Sequence, residues 1–365
     1  MKIAIDVSQV VYGTGVSNYV KNLVTGLLAI DKNNHYILFG GTLREQKKLI
    51  SFFRQLKGNN FETRITFLSP HLASLIWNRL HTLPIEAITG PVDIYLSSDW
   101  TQAPTKKAKS LTIVYDLIPW LYPAVLGSKI VNIHKKRMVW VKKEAEQIIT
   151  ISQSTKDDLI EIIGIDKKRI TIAYPGLDQD RFVPQDKKKI AQVKKKYQLK
   201  NYILSLGTQE PRKNFPQVIK AFKKLNNNLE LAIVGKYGWG EKLINKNPKI
   251  KILGYIPNQD LAPLYSGAKA FVYPSLYEGF GMPIVEAQAC GCPVLTSNVS
   301  SMPEAAGKGA VLINPKNNNE IVQGLRKIIN NQSFRKNLIE KGRKNANKFS
   351  WKKSAREVLS AIESL

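Results

Sequence analysis

Short apolar runs alternate with amphipathic stretches along almost the whole chain, and this alternation constrains the fold more than any other feature. In the second half the apolar runs predict strands at Tyr202–Leu206, Leu229–Val234, Ile250–Leu253, Ala270–Tyr273, Val294–Thr296 and Val311–Ile313. In the first half they predict strands at Lys2–Val7, His35–Phe39, Ile94–Leu96, Leu111–Tyr115 and Gln147–Ile151. Strands that alternate with helices form parallel sheets joined by right-handed crossovers. The sequence therefore predicts an α/β protein.

A polar segment divides this pattern in two. The composition changes at Asp178–Lys200, a charged stretch accompanied by Pro175 and Pro184. A chain of 365 residues is also long enough for two domains. We therefore predict two Rossmann-like, doubly wound domains that face each other across a cleft, with residues 1–180 in the first and 181–349 in the second.

The composition limits the class of protein and its partners. Hydrophobic residues make up 43% of the chain, which excludes a disordered protein. The net charge is +27, so an anionic partner is expected. Two cysteines, Cys290 and Cys292, cannot build a disulfide framework, which favours a reducing compartment. The N-terminus reads as a strand, and no apolar run reaches the roughly 18 residues of a membrane span. We expect a cytoplasmic protein.

A glycine-bearing loop follows the first strand. Gly13 and Gly15 precede a helix that contains Asn18. Glycines allow a ligand to approach the backbone, and a helix N-terminus favours anions. A dinucleotide fingerprint would need a small residue in place of Asn18 and an acid after the second strand, where Gly40-Gly41 stands. The loop is therefore compatible with two interpretations, a phosphate-binding site and a tight strand–helix turn without a ligand.

A second loop follows the strand at Tyr202–Leu206. It runs from Gly207 to Asn214 and carries Arg212 and Lys213 just before a helix. Ligands bind at this edge of an open α/β sheet, and two cations near a helix N-terminus suit a diphosphate. A solvated basic turn is the alternative in a chain this rich in lysine.

Two glutamates carry the most specific signal. Glu278 and Glu286 are separated by seven residues in a strand–loop–helix segment, with Gly279 and Gly281 in the loop and Pro283 at the predicted helix start. We expect Glu278 in the loop and Glu286 in the first helical turn. A carboxylate accepts two hydrogen bonds, which matches the vicinal hydroxyls of a ribose or hexose. Glu286 could instead only complement the helix dipole.

These segments resemble a known family. The two glutamates with Gly-Phe-Gly between them match the E-x7-E signature of retaining GT-B glycosyltransferases of family four, or group 1, and the likeness covers nearly the whole chain. The loops of this chain look most like those of bacterial mannosyl- and rhamnosyltransferases of surface-polysaccharide assembly. The resemblance implies the GT-B fold, with the first domain on the acceptor side, the second holding a nucleotide sugar, and a C-terminal helix at 350–365 crossing back to the first domain.

The resemblance also implies roles for individual residues. Glu278 would bind the transferred sugar near the reacting carbon, Glu286 would hold the donor ribose, and Lys213 would pair with the diphosphate. Thr208 stands where the family usually has an arginine, and Arg212 would take over part of that role. The remaining donor contacts would come from Gly13, Gly15, Tyr255, Ile256, Gly279, Phe280 and Gly281.

A further pair in the first domain departs from the family pattern. The family often has His-Asp at the end of one strand, and this chain has Tyr115-Asp116. Tyr115 could hydrogen-bond a sugar hydroxyl, as could Asn18, but a phenol is a poor base because its pKa is near 10. Asp116 could accept the acceptor's proton, or could simply cap the loop that follows.

The charge excess bears on the acceptor. Ser128–Gln147 reads as a basic helix with Met138, Trp140 and Val141 among its charges, and Trp77 and Leu80 add apolar residues nearby. Basic and aromatic residues together suggest contact with an anionic membrane surface, and a polyprenyl-diphosphate-linked saccharide acceptor would account for it. Ordinary solvated helices are the alternative.

The sequence thus predicts a retaining hexosyltransferase, with mannose from GDP-mannose as first expectation and rhamnose or glucose from dTDP- or UDP-sugars as alternatives. No Asp/His cluster has metal spacing, so no metal cofactor is expected. Other possibilities are a GT-B epimerase or phosphorylase, or a nucleic-acid binder suggested by the charge. That last class lacks any recognition motif here, so no specific nucleic acid is expected.

Overall fold

The computed structural model describes residues 1–97, 99–225, 228–240, 243–244 and 246–365. These residues form two compact units, one of Met1–Gly176 with Trp351–Leu365 and one of Leu177–Ser350. Each unit contains its own parallel sheet. The acceptor-side and donor-side roles expected for the two halves of the chain stay predictions.

The first unit is built on seven parallel strands among its described residues. They are β1 (Lys2–Asp6), β2 (His35–Gly41), β3 (Phe61–Thr66), β4 (Ile94–Ser97), β5 (Lys109–Val114), β6 (Ala145–Thr150) and β7 (Ile170–Ile172). Their order in space is β3-β2-β1-β4-β5-β6-β7, so the winding reverses between β1 and β4. A crevice suited to ligands forms beyond the carboxyl ends of strands at such a reversal.

Helices cover this sheet. They are α1 (Gly15–Ile30), α2 (Gln46–Gln55), α3 (Pro70–Ala73), α4 (Glu86–Thr89), α5 (Ile118–Leu121), α6 (Ser128–Glu144) and α7 (Gln153–Asp158). Short 3₁₀-helices span Ser8–Val11, Pro123–Val125 and Lys167–Arg169, and π-helical turns span Ser74–Leu80 and Leu159–Ile163. Helix α1 begins at a capping box in which Thr14 and Ser17 bond each other's backbone N–H groups.

The second unit is built on six parallel strands among its described residues. They are β8 (Tyr202–Leu206), β9 (Glu230–Val234), β10 (Ile250–Gly254), β11 (Ala270–Tyr273), β12 (Val294–Ser297) and β13 (Ala310–Ile313). Their order is β10-β9-β8-β11-β12-β13, so the winding reverses between β8 and β11. Strands β8 and β11 are apolar except for Ser205, as expected for strands covered on both faces.

The helices of the second unit pack on both faces of its sheet. They are α8 (Lys187–Lys196), α9 (Phe215–Lys224), α10 (Asn258–Gly267), α11 (Met282–Ala289), α12 (Met302–Ala306), α13 (Asn318–Asn330) and α14 (Gln332–Ala346), with a 3₁₀ turn at Pro211–Lys213. Helix α9 buries Val218 and Phe222 in a core shared with Leu231 and Leu325.

The last helix, α15 (Trp351–Glu363), belongs to the first unit and packs on α1. The ring of Trp351 meets that of Tyr19 edge-on, with centroids 5.4 Å apart. Gly26 provides the space for this contact, since a Cβ there would lie 3.0 Å from the Cβ of Ala355. The expected return of the C-terminal helix to the first half of the chain is confirmed.

The structure corrects several sequence-based assignments. Strands β3 and β7 were not predicted because they are edge strands with partly exposed residues, so neither reads as a buried apolar run. The basic helix ends at Glu144, three residues before its predicted end, because β6 begins at Ala145. The polar segment between the halves also contains α8, whose N-cap Asp186 accepts from the Lys189 N–H at 2.8 Å.

Burial corrects the predicted apolar face of the basic helix. Met138 and Val141 lie in the core of the first unit, and Trp77 is buried as well, so these three side chains do not face solvent. Among the described residues, no helix has the length and the apolar character needed to cross a membrane.

Candidate active site

Glu278 lies at the centre of a buried ionic cluster in the second unit. Its Oε1 accepts from Lys213 Nζ at 2.6 Å and from the Tyr273 hydroxyl at 2.7 Å, while its Oε2 lies 2.8 Å from Arg212 Nη1. Glu278 is only 8% exposed. The loop after β8 supplies Arg212 and Lys213, and the last residue of β11 and the loop after it supply Tyr273 and Glu278. The cluster therefore lies where the winding of the second sheet reverses. Ligands bind at this position in open α/β sheets.

Backbone contacts hold the two loops together. Asn214 adopts a left-handed conformation, with φ of 60°, and its side-chain amide donates to the carbonyl groups of Pro274 and Pro315 at 3.1 and 2.9 Å. The Leu276 N–H donates to the Arg212 carbonyl at 2.9 Å. Asparagine tolerates this backbone conformation better than most residues. The loops therefore present Arg212 and Glu278 to each other in a fixed arrangement.

The cations determine the charge state of Glu278. Burial alone would raise the pKa of its carboxyl, but Lys213 and Arg212 together lower that pKa to about 2. Glu278 is therefore ionised at neutral pH and acts as a hydrogen-bond acceptor, not as an acid. Arg212 forms a second ion pair with Glu210, and its Nε has no hydrogen-bond partner among the described residues. The guanidinium of Arg212 is therefore held between the carboxylates of Glu210 and Glu278.

Glu286 has a different environment. It is the fifth residue of α11, so the expectation of a place in the first helical turn was wrong, and it does not serve as a first-turn complement to the helix dipole. The reason is that the helix begins at Met282, after Gly281 with φ of 100°. The Tyr265 hydroxyl donates to Glu286 Oε2 at 3.1 Å. Burial raises the pKa of Glu286 to about 7, although Tyr265 and Arg181 act in the opposite direction.

An aromatic row connects the two glutamates. Tyr265 bonds Glu286, Tyr273 bonds Glu278, and the ring of Phe271 lies between those tyrosines with centroid distances of 5.3 and 5.6 Å. Both carboxylates thus accept from tyrosines that contact the same ring, that of Phe271 in β11. The structure brings Glu278 into direct contact with Arg212 and Lys213, whereas Glu286 has a separate partner.

The other predicted donor residues lie around this end of the second sheet. Thr208 and Tyr255 are exposed, and Lys236 Nζ lies 4.7 Å from the centroid of the Tyr255 ring. Ile256 is buried in the loop that follows β10. In the loop between the glutamates, Gly279 is half-buried and Phe280 is buried against Phe349.

The predicted residues of the first unit occupy its own loops. Gly13 and Gly15 are exposed, a Cβ at either would meet no atom within 4 Å, and Asn18 is exposed on the first turn of α1. Tyr115 is buried, and its ring lies 5.3 Å from that of Tyr19, edge to face. Asp116 accepts from the Ile118 N–H at 2.9 Å, so it does cap the loop that follows β5.

Several members of the site were not found from sequence. Tyr273 ends the strand directly before the two-glutamate segment, and Glu210 precedes Arg212 in the basic loop, so their positions offered a signal. Ser300 and Ser301 offered none. Their hydroxyls donate to the Glu278 carbonyl at 3.0 and 2.8 Å from a loop more than twenty residues further along the chain.

Comparison with known proteins identifies the family. Residues 186–345 match the family described as "Glycosyl transferases group 1". The chain is 30% identical over 275 residues to O-antigen chain mannosyltransferase B of Escherichia coli, covering 72% of each protein. It is 29% identical over 269 residues to the serotype-specific mannosyltransferase WbdA of Escherichia coli, covering 68% of this chain and 32% of that protein. The chain belongs to the group 1 glycosyltransferases.

Solved structures agree on the fold. The crystal structure of Anabaena Alr3699/HepE with UDP-glucose superposes with a TM-score of 0.74 at 16% identity, covering 100% of both chains. Likeness at this identity supports the fold alone. With two Rossmann-like parallel sheets and a group 1 sequence, the protein is a glycosyltransferase of the GT-B fold.

Proposed function

We propose that the protein transfers a hexose from a nucleotide-diphosphate sugar to a saccharide or lipid-linked saccharide of a surface polysaccharide, with retention at the anomeric carbon. Mannose from GDP-mannose is the first choice of donor, because relatives at 29–30% identity carry the name mannosyltransferase. The observation that carries the proposal is the ionised Glu278 held between Arg212 and Lys213.

This cluster fits the charge changes of glycosyl transfer. As the bond from the anomeric carbon to the phosphate oxygen breaks, its electron pair leaves on the diphosphate and positive charge grows on the sugar. Lys213 and Arg212 would stabilise the diphosphate, and the carboxylate of Glu278 would stabilise the sugar and accept from its hydroxyls. Because these charged side chains are already fixed in place before the reaction, they need little reorganisation as charge develops, and this lowers the activation barrier.

The remaining roles follow the family resemblance. Gly13 and Gly15 would admit the phosphates close to the backbone of the first unit, and the loop around Tyr255 would lie by the base. The acceptor hydroxyl would form the new bond to the anomeric carbon and lose its proton to Asp116. That carboxylate accepts the backbone N–H of Ile118 at 2.9 Å, which holds it at the end of β5.

A donor screen tests the proposal. The full chain is incubated with GDP-mannose, dTDP-rhamnose, UDP-glucose and UDP-N-acetylglucosamine, with and without EDTA, and release of nucleoside diphosphate is measured. We expect one nucleotide sugar to be consumed. We expect EDTA to change the rate less than about twofold, because Lys213 and Arg212 would balance the charge of the diphosphate. Release of free UDP with epimerised sugar would favour the epimerase instead.

Glu286 should make donor binding depend on pH. With a pKa of about 7 the carboxylate is mostly protonated at pH 6 and mostly ionised at pH 8. The ionised form accepts a ribose hydroxyl on each oxygen, whereas protonation turns one of the two oxygens into a donor. KM for the donor should therefore rise about tenfold from pH 8 to pH 6. Glu286→Gln should bind donor weakly with little pH dependence. An unchanged wild-type KM across this range would remove Glu286 from the donor site.

The same group should affect stability with a defined sign. Its folded pKa of about 7 exceeds its usual value of 4.5, so the folded state holds the proton more tightly than the unfolded state. This stabilisation is complete below pH 4.5 and is lost as pH rises through 7. Glu286→Gln should therefore flatten the fall in the free energy of unfolding between pH 5 and pH 8, as urea titrations would measure.

The proposal also includes contact between the first unit and an anionic membrane surface that would carry a lipid-linked acceptor. In the first unit Phe67 is 74% exposed and Leu80 is 59% exposed. Phe67 precedes α3 in the chain, and Leu80 is the last residue of the π-helical turn that follows α3. That turn and α6 border a groove lined by Arg79, Lys129 and Lys136. Exposed apolar side chains beside basic ones favour the interface of an anionic bilayer, and each cation adds about 1 kcal/mol.

Vesicle binding measures this directly. The protein should sediment with vesicles containing phosphatidylglycerol and stay in solution with pure phosphatidylcholine. Phe67→Ser should weaken binding about fivefold or more, because a large apolar side chain would no longer enter the interface. Ile244→Ser, at a residue 84% exposed in the second unit, is the matched control. Equal sedimentation with both vesicle types would contradict the membrane assignment.

A further inference from the structure

A narrow pocket opens at the carboxyl edge of the first sheet. It lies beside the point where the winding reverses, since Gln9 and Tyr12 follow β1 and Trp100 follows β4. Its lining includes Asp6, Gln9, Tyr12, Phe39, Trp77 and Trp100. This is the position in the first unit that corresponds to the Glu278 cluster in the second, and open α/β sheets bind ligands there.

Gln9 has an unusual environment in this pocket. Gln9 is only 2% exposed, yet neither the nitrogen nor the oxygen of its side-chain amide has a hydrogen-bond partner among the described residues. Its backbone is fixed, because its carbonyl accepts from the Ser17 hydroxyl at 2.6 Å and from the Tyr12 N–H at 3.2 Å. Buried polar groups in native proteins are nearly always hydrogen-bonded. Because Gln9 is a lining residue of the pocket, its buried and unpartnered amide points to a polar ligand at this place.

A second buried glutamine in the same unit shows the contrast. Gln102 is fully buried, and its amide nitrogen donates to the Ser110 hydroxyl at 2.7 Å while its oxygen accepts from the Ser97 hydroxyl at 2.7 Å. The fold thus satisfies a structural glutamine completely. Gln9 differs because its buried amide lacks such partners, although the residue lines a pocket.

The size and walls of the pocket limit the ligand. The free space is about 20 Å³, enough for about one hydroxyl-sized group. Phe39 and Trp77 are almost completely buried and provide apolar walls, whereas Tyr12 is 48% exposed and Trp100 half-buried. Amphipathic aromatic side chains like these suit the apolar face of a sugar ring. A whole pyranose does not fit inside, but one of its arms does.

We propose that this pocket receives the hydroxymethyl arm of a pyranose in the acceptor saccharide, with Gln9 bonding its primary hydroxyl. The arm extends one carbon beyond the ring, so its hydroxyl reaches the amide while its methylene contacts the apolar walls. A glutamine amide both donates and accepts, which matches a hydroxyl. The assignment to the acceptor rests on the proposed function. Gln9 is then a specificity-determining residue that selects hexoses over 6-deoxyhexoses.

Saturation-transfer NMR on the full chain tests the proposal. The probes are the methyl α-pyranosides of D-mannose, D-glucose and D-galactose, each compared with its 6-deoxy counterpart. We expect at least one hexoside to bind, with saturation strongest at its hydroxymethyl protons, and its 6-deoxy form to bind about fivefold more weakly for the loss of one hydrogen bond. Gln9→Met should weaken binding of that hexoside by a similar factor, so that the variant binds the hexoside and its 6-deoxy counterpart with equal affinity.

Controls separate this result from loss of folding and from the donor site. Gln9→Met should keep or raise the melting temperature, because the amide loses no partner within the protein, and Gln55→Met on the exposed face of α2 should change neither property. Absence of hexoside binding, or equal binding by Gln9→Met, overturns the inference. Titration with GDP-mannose tests the donor site separately. If the protein binds GDP-mannose but no hexoside, only the inference about the Gln9 pocket is wrong. If hexoside binding depends on Gln9 but no nucleotide sugar is consumed in the donor screen, the proposed transfer reaction is wrong.

Discussion

Replacement of Glu278 by glutamine should lower kcat by about 10²- to 10³-fold, because the negative charge next to the developing positive charge on the sugar is lost. The amide occupies the same space and can still accept from Tyr273, so the loop after β11 should keep its conformation. The measurement is steady-state kinetics with the donor identified in the screen. The matched control is Glu340→Gln, a glutamate that is 67% exposed in the same unit and pairs only with Lys344 among the contacts described. A Glu278→Gln enzyme with the wild-type rate would show that the site lies elsewhere.

The same substitution should cost about 3 kcal/mol of the free energy of unfolding, because it leaves Lys213 as a buried cation without a carboxylate. The contribution of Glu278 to the free energy of unfolding depends on pH in the direction expected for a carboxyl whose pKa is lowered by folding. The folded pKa of Glu278 is about 2, below its usual 4.5, so its stabilisation is present above pH 4.5 and is lost as pH falls through 2. The variant should therefore lose less stability in acid than the wild type does. Urea titrations at neutral and acid pH measure both effects.

Replacement of Lys213 by methionine should have an effect of similar size. We expect kcat/KM to fall about 10²-fold, because the diphosphate loses a cation that is largely excluded from solvent. The decisive measurement is a double-mutant cycle with Glu278→Gln. Groups that act as one unit give strongly non-additive losses, so the double variant should be little worse than the poorer single variant.

The chain contains a matched cycle for comparison. Glu340 and Lys344 form an exposed pair one helical turn apart, at 2.7 Å, and such pairs couple by only about 0.3–0.5 kcal/mol. Glu340→Gln and Lys344→Met should therefore combine additively in stability and leave kcat unchanged. Fully additive kinetic losses at Lys213 and Glu278 would mean that the two residues do not cooperate in the same step.

Local sequence pattern was sufficient to predict the central strands of both sheets. Strands such as Tyr202–Leu206 and Ala270–Tyr273 are buried on both faces and therefore read as continuous apolar runs. The edge strand Phe61–Thr66 has only partly buried and exposed residues, so its composition does not distinguish it from a loop. The helix Lys187–Lys196 was hidden for a related reason, since it buries only Val193.

The site was predictable as a set of loops but not as a set of contacts. Sequence spacing placed Arg212 and Glu278 at strand ends, and parallel topology brings such ends together. The pairing of one carboxylate with two cations depends on side-chain directions that only the packed structure fixes. The raised pKa of Glu286 depends on its burial beside Tyr265, a residue twenty-one positions earlier in the chain that no motif marks.

The packing of α15 on α1 has a consequence for biosynthesis. Ribosomes deliver the chain from its N-terminus, so β1 to β7 emerge long before Trp351–Glu363, and the surface around Tyr19 and Gly26 stays uncovered during that interval. The first unit thus reaches its final packing only after the second has been translated. A nascent chain stalled before Trp351 would expose apolar surface on α1, the kind of surface that chaperones bind.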